Sequence, residues 1–286
     1  MKHAYLIIAH TEFKLLENLI SILDNSNNDI FVHIDKKVEY TIQYKPQYSK
    51  LTIVNESNRC KVVWGEDSQI HCELTLYRLA YETEKYDYFH LLSGIDMPLK
   101  SQEFINDFFE QHKGREFLGL MQNAWRTETK LMYYHFFISR PSPKTWKYFI
   151  HTGLIALQRT LHLKRNRMGW KILAKGANWS SLTNEAVGYI LSQETMIRKR
   201  FKYTMACDEV YKQTILMNSP FAEKLYNKTD EYEGCQRLVD WKRGNPYTWT
   251  IADWNELINS NKLFARKFSS EHWDVVEKLT QHIKKK

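Results

Sequence analysis

The chain is poor in the residues that build loops and linkers, with 10 Gly and 6 Pro among 286 residues. That scarcity excludes a fibrous or linker-rich protein. Its four cysteines, Cys60, Cys72, Cys207 and Cys235, form no closely spaced pair. Neither a Cys-x-x-Cys redox motif nor a thiolate zinc site is therefore written in them. No apolar run approaches the roughly 18 residues of a membrane-spanning helix. The apolar part of MKHAYLIIAH is too short for a secretory core and reads as a first strand. A soluble, intracellular protein with reduced thiols is expected. Phosphate loops of the form GxxxxGK[ST], a GxGxxG after the first strand, a GxSxG elbow and HExxH are all missing. Nowhere do two Asp stand at i and i+2, so the acidic pair with which many enzymes hold a divalent cation is absent.

Acidic residues are absent from Thr129 until Glu185, a stretch that holds ten Lys or Arg. Ten positive charges there, against +8 for the whole chain, leave the remainder at about −2. The basicity thus belongs to one segment, and a general nucleic-acid surface is not implied. Within it, TWKYFIHTGLIALQRTLHLKR places Trp146, Phe149, Ile150, Gly153, Leu154, Leu157 and Leu161 at helical spacing. Two readings stand: the apolar stripe packs on the core with the lysines in water, or the helix lies against an anionic membrane.

Elsewhere 43% apolar and 14% aromatic content can bury a substantial core. Strand-like runs at Ala4–Ala9, Ile30–Ile34, up to Val62–Val63, at Tyr88–Leu92 and at Glu116–Leu120 alternate with helix-periodic stretches at Glu12–Leu23, from Asp67 or Ser68, and at Gln102–Gln111. In the second half, Asn178–Leu182 reads as a strand. Thr183 caps a helix, Asp208–Met217 is another, and a last one runs over Glu271–Ile283. The alternation predicts an α/β fold with a mostly parallel sheet and helices on both faces. Ligands in such sheets gather at the carboxyl ends of the strands, which directs attention to His10, His33–Asp35, Trp64–Gly65 and Ser93–Asp96. One compact unit is expected over 1–286: a half at 1–120, a basic helical insert at 121–172, and a second half at 173–286.

Taken singly, these residues have ordinary readings. Asp35 is a turn residue, Trp64 and Trp179 are core, Asp208 and Glu209 are helix caps, and Arg243 and Arg266–Lys267 are surface cations. Their combination resembles the core-2/I-branching N-acetylglucosaminyltransferase family, which includes the protein xylosyltransferases. The resemblance rests on AYLIIAH, IFVHIDKK, VVWGEDSQIHCELTLYRLA, YDYFHLLSGIDMPLKS, KGANWSSLTNEAVGYIL, DEVYKQTILMNSPF and NPYTWTIADWNELINSNKLFARKF, in order from Ala4 to about Phe268. The animal members carry a membrane anchor and a stem, so this chain resembles a bare catalytic domain of bacterial type.

The resemblance implies a GT-A-like glycosyltransferase fold without the Asp-x-Asp metal site, and a single inverting displacement that needs no metal or other cofactor. Charge on the departing diphosphate must then be met by fixed cations. By similarity these are Lys267 and Arg243, with Lys242 the alternative to Arg243. Glu209 matches the general base that takes the acceptor proton, Asp208 being second choice. Asp35, Trp64 and Ile8 match nucleotide contacts; Trp179 and Asp96 are candidates for acceptor binding. The implied partners are a UDP-sugar (N-acetylglucosamine or xylose) and a glycan or lipid-linked oligosaccharide in bacterial surface-polysaccharide assembly. The implied location is the cytoplasm, with peripheral contact at the inner membrane face. A non-catalytic nucleotide-sugar or glycan-binding module is the alternative; a nucleic-acid partner is not implied.

Overall fold

A computed structural model of the chain describes residues 1–122, 130–136, 145–165 and 169–285. In chain order the elements are β1 (His3–Ala9), α1 (Phe13–Leu23), β2 (Asn28–Ile34), β3 (Lys50–Ile53), α2 (Ser68–Thr83), β4 (Tyr88–Ser93), β5 (Met97–Pro98), α3 (Gln102–Gln111) and β6 (Phe117–Leu118). Then come α4 (Trp146–Thr160), β7 (Ser180–Thr183), α5 (Asn184–Ser192), α6 (Glu194–Phe201), α7 (Tyr211–Met217), α8 (Glu231–Cys235), β8 (Arg237–Val239), α9 (Trp254–Asn259), β9 (Phe264–Arg266) and α10 (Trp273–Lys284).

The main sheet has the order β3-β2-β1-β4-β7-β6. β3, β2, β1 and β4 run parallel; at one end β7 pairs antiparallel with β4, and β6 pairs antiparallel with β7. β1, β2 and β4 are apolar runs because both of their faces are covered. Alternation along β1 shows this directly. Ala4 and Leu6 point into a core with Ile70, Leu74 and Tyr77 of α2 and Val187 and Ile190 of α5. Tyr5, Ile7 and Ala9 point the other way, onto Leu16, Leu19 and Ile20 of α1 and Ile105 and Phe109 of α3. The fold is therefore a mixed α/β sandwich around a mostly parallel sheet, as expected.

Three element assignments are corrected. The strand beside β2 is Lys50–Ile53, whereas Val62–Val63 lies in a loop, so Trp64 does not follow a strand. The run from Asp208 splits into a 3-10 turn at Cys207–Glu209 and the helix α7, after Ala206 takes a left-handed φ of 48°. A second sheet, β5-β9-β8, is an addition to the sequence reading; its strands have two or three residues, too few to show a period.

Candidate active site

Parallel register brings three strand ends into one row. Ile8 stands opposite His33 on one side and Ser93 on the other. The Asp35 N–H donates to the Ala9 carbonyl (2.8 Å), and the Gly94 N–H donates to that of Ile8 (3.0 Å). Ile8, Asp35 and Ser93–Asp96 thus share the carboxyl edge, as the strand-end argument predicts. Asp35 is buried and accepts from the Lys37 N–H at 2.8 Å, with Lys37 Nζ at 3.3 Å. Lys37 Nζ also donates to the Val62 carbonyl (2.6 Å), while Arg59 donates to the carbonyls of Ile34, Asp35 and Val38. The Cys60 N–H donates to the His33 ring at 2.8 Å. Burial lowers the His33 pKa to about 4 and keeps that ring neutral. These bonds fold the 55–65 loop against Asp35 and present Trp64, which stays 58% exposed and is not a core residue.

The loop is joined to the acidic turn. Ala206 donates its N–H to the Gly65 carbonyl (2.9 Å), Gly65 donates to Gln69 Oε1 (2.6 Å), and Gln69 Nε2 donates to Asp208 (3.1 Å). The adjacent carboxylates are held differently. Asp208 is buried, and burial, helped by the charges of Glu73 and Glu209, pushes its pKa up to about 7. Glu209 is partly open to solvent, and its Oε2 lies 3.2 Å from both Lys130 Nζ and Lys175 Nζ. Of the two, only Glu209 presents a carboxylate to an incoming molecule. Beneath the turn, buried Glu73 accepts from Asn178 Nδ2 (2.6 Å), Tyr211 Oη (2.7 Å) and Lys212 Nζ (2.5 Å).

A third group forms around the β9 end. Asp96 is buried, accepts from the Ser93 N–H (2.9 Å) and Oγ (2.6 Å), and lies 3.3 Å from Arg266 Nε. The Arg266 guanidinium stacks on Trp179, 4.2 Å from the ring centre. Asp96 is therefore spent on Ser93 and Arg266. Trp179 is half-buried, packing partly on the core while carrying Arg266 on one ring face. Lys267 follows, half-buried, with its backbone tied to Tyr247 and Trp249; its ammonium has no ion-pair or hydrogen-bond partner among the described residues. Arg243 lies one aromatic layer away, 4.3 Å from the Tyr247 ring centre, but is paired with Asp240, Asp253 (2.6 Å) and Glu256 (2.8 Å). Lys242 donates its backbone N–H to Asp240.

One short segment ties these groups together. Lys175 faces Glu209, Gly176 donates its N–H to the Glu209 carbonyl (2.9 Å), Asn178 joins Glu73, and Trp179 meets Arg266. Glu73, Lys130 and Lys175 are not among the residues that the sequence singles out for the site, and Arg266, read there as a surface cation, instead lies between Asp96 and Trp179. Glu73 carried a visible signal, a carboxylate on the apolar face of α2 beside Ile70, Leu74 and Tyr77. Lys130 and Lys175 come from segments 45 residues apart in number, and no spacing joins them. Among the described residues no group of three or more His, Cys, Asp and Glu is placed to hold a metal ion.

The family model described as Core-2/I-Branching enzyme matches residues 3–260. Among curated proteins the chain is similar to xylosyltransferase 2 of Rattus norvegicus (23% identical over 310 aligned residues, 98% of this chain) and of Homo sapiens (22%, 98%). It is also similar to xylosyltransferase 1 of Rattus norvegicus (21% over 294 residues, 93%). The chain spans about a third of the length of each of these relatives.

Proposed function

The chain belongs to the Core-2/I-branching enzyme family, and from that premise we propose that it is a glycosyltransferase that moves a sugar from a UDP donor to a glycan. One observation carries this reading. A turn bearing a solvent-facing carboxylate, Glu209, is hydrogen-bonded to the loop that carries the exposed Trp64 and is itself bonded to the Asp35–Val38 segment. In the proposed reading the turn supplies the base for the acceptor and the loop supplies an aromatic face for the donor's uracil.

The proposed reaction is a single inverting displacement without a metal ion. Glu209 takes the proton of the acceptor hydroxyl as that oxygen attacks the anomeric carbon, and UDP departs. Lys130 and Lys175 hold Oε2, leaving Oε1, which has no partner among the described residues, to face the hydroxyl. Lys267 is the proposed electrostatic partner of the diphosphate, supported by an ammonium that has no partner among the described residues. Arg243 is the second candidate, and it must first leave three carboxylates. Asp35, Ile8 and Trp64 receive the nucleoside, and Trp179 faces the acceptor. Asp96 is proposed as a positioning residue for Arg266. N-acetylglucosamine and xylose are the proposed donor sugars, and a surface polysaccharide or lipid-linked oligosaccharide the proposed acceptor.

A panel of UDP-sugars, scored by thermal stabilisation and slow hydrolysis, tests the reading. One or two UDP-sugars should stabilise the protein and lose their sugar at a rate that Glu209→Gln abolishes. No response to any nucleotide sugar contradicts it, and binding without turnover favours a non-catalytic module.

A further inference from the structure

Helix α4 buries almost nothing: of its residues only Gln158 is fully buried. Gln158 accepts from the Tyr134 N–H (2.9 Å) and donates to the Tyr134 carbonyl (3.0 Å), while the His151 ring contacts the Phe136 carbonyl (2.9 Å). The helix is thus fastened along a polar edge. Its apolar stripe points elsewhere: Trp146, Phe149, Ile150 and Leu157, with Leu161 just beyond, are 63%, 66%, 41%, 52% and 55% exposed. Phe149 and Ile150 stand three and four residues after Trp146, and Leu157 and Leu161 follow Ile150 by seven and eleven, so all lie on one face of the helix. The reading in which this stripe packs on the core is overturned.

Charge indicates what covers it. Lys147, Arg159, Lys164 and Lys171 of the same segment are exposed, Lys147 with its ammonium 5.8 Å from the Trp146 ring centre, and no acidic residue occurs from Thr129 to Asn184. Arg165 is not among the available cations. It is buried, bonded to Thr204 Oγ1 (2.8 Å), to the Lys202 carbonyl (2.9 Å) and to the Arg200 carbonyl. Arg140, Lys144 and Arg167 lie outside the described residues. A water-exposed aromatic and aliphatic face in a segment that exposes cations and has no acidic residue matches an anionic bilayer, into which the rings insert while the lysines meet phosphates.

We propose that α4 is a membrane-docking helix that seats the protein on an anionic lipid surface through Trp146, Phe149, Ile150, Leu157 and Leu161. The docking stands independently of the transferase reading. Its segment nonetheless reaches the site, since Lys130 and Lys175, on either side of α4 in the chain, both face Glu209.

Flotation with vesicles of equal parts phosphatidylglycerol and phosphatidylcholine, against pure phosphatidylcholine, tests it. The full chain should float with the anionic vesicles and remain below with the neutral ones. The double substitution Trp146→Glu with Phe149→Glu should weaken binding about tenfold or more. Its thermal midpoint and its UDP affinity should be those of the parent, because neither side chain packs in the core or touches the site. Protein that stays at the bottom with both vesicles overturns the proposal. So does a parent that binds anionic vesicles no better than the double variant. A concentration-dependent dimer that the double variant abolishes also overturns it, since the stripe would then serve a second copy.

Discussion

Glu209 and Asp208 are neighbours in the chain with opposite surroundings, and that difference underlies the role proposed for Glu209. Glu209 faces solvent between two ammonium groups, whereas Asp208 is buried above Glu73. Glu209→Gln should lower turnover by about 10²–10⁴-fold, the usual contribution of a positioned base. UDP affinity by calorimetry should change little, since the proposed base acts on the acceptor and not on the nucleotide. Asp208 should reveal itself through pH instead. Its folded pKa of about 7 lies above the unfolded value, so the native state holds a proton that the unfolded chain has released. Stability therefore falls as pH rises from about 4 to about 7 and is level above that. Asp208→Asn removes this dependence. The thermal midpoint of the variant relative to the parent should climb across that window, as fluorimetry at a series of pH values will show. A constant offset would mean that Asp208 is not the titrating group.

At the scale of elements, the segment running from Lys175 into β7 carries the site. Gly176 has no room for a side chain, because a Cβ there would lie 1.9 Å from the Gly119 carbonyl oxygen. Gly176→Ala should cost about 1–3 kcal/mol or more and displace Lys175 from Glu209. Urea unfolding measures the first effect, and turnover at a temperature where the variant remains folded measures the second. That close approach is not readable in a lone glycine. The strands of the main sheet, by contrast, were legible, because β1, β2 and β4 are buried on both faces and must be apolar throughout. The Thr183 cap was legible too, and its side chain accepts from the Ala186 N–H at 3.2 Å. Where elements are short the sequence has no period to offer. β3 and the β5-β9-β8 sheet escaped for that reason, and the loop at Val62–Val63 looked like a strand.

Over the whole molecule, the site is assembled from regions remote in sequence. The carboxyl edge follows from topology, so Ile8, Asp35 and Ser93 were predictable neighbours. The cations around Glu209, and the stacking of Arg266 on Trp179, depend on tertiary packing that no local pattern encodes. The same holds for α4, whose sequence is amphipathic whichever way it faces; only its placement shows the apolar stripe turned to solvent. Fixed side-chain cations, Lys267 foremost, are proposed to do the work of a metal at the diphosphate. Calorimetric titration of UDP into the parent protein and into Lys267→Ala, both in excess EDTA, tests it most directly. The parent should bind UDP in the chelator, and the variant should bind about tenfold or more weakly, the loss of a charge-assisted contact. Binding that appears only when manganese is supplied, or an affinity that Lys267→Ala leaves unchanged, would contradict it.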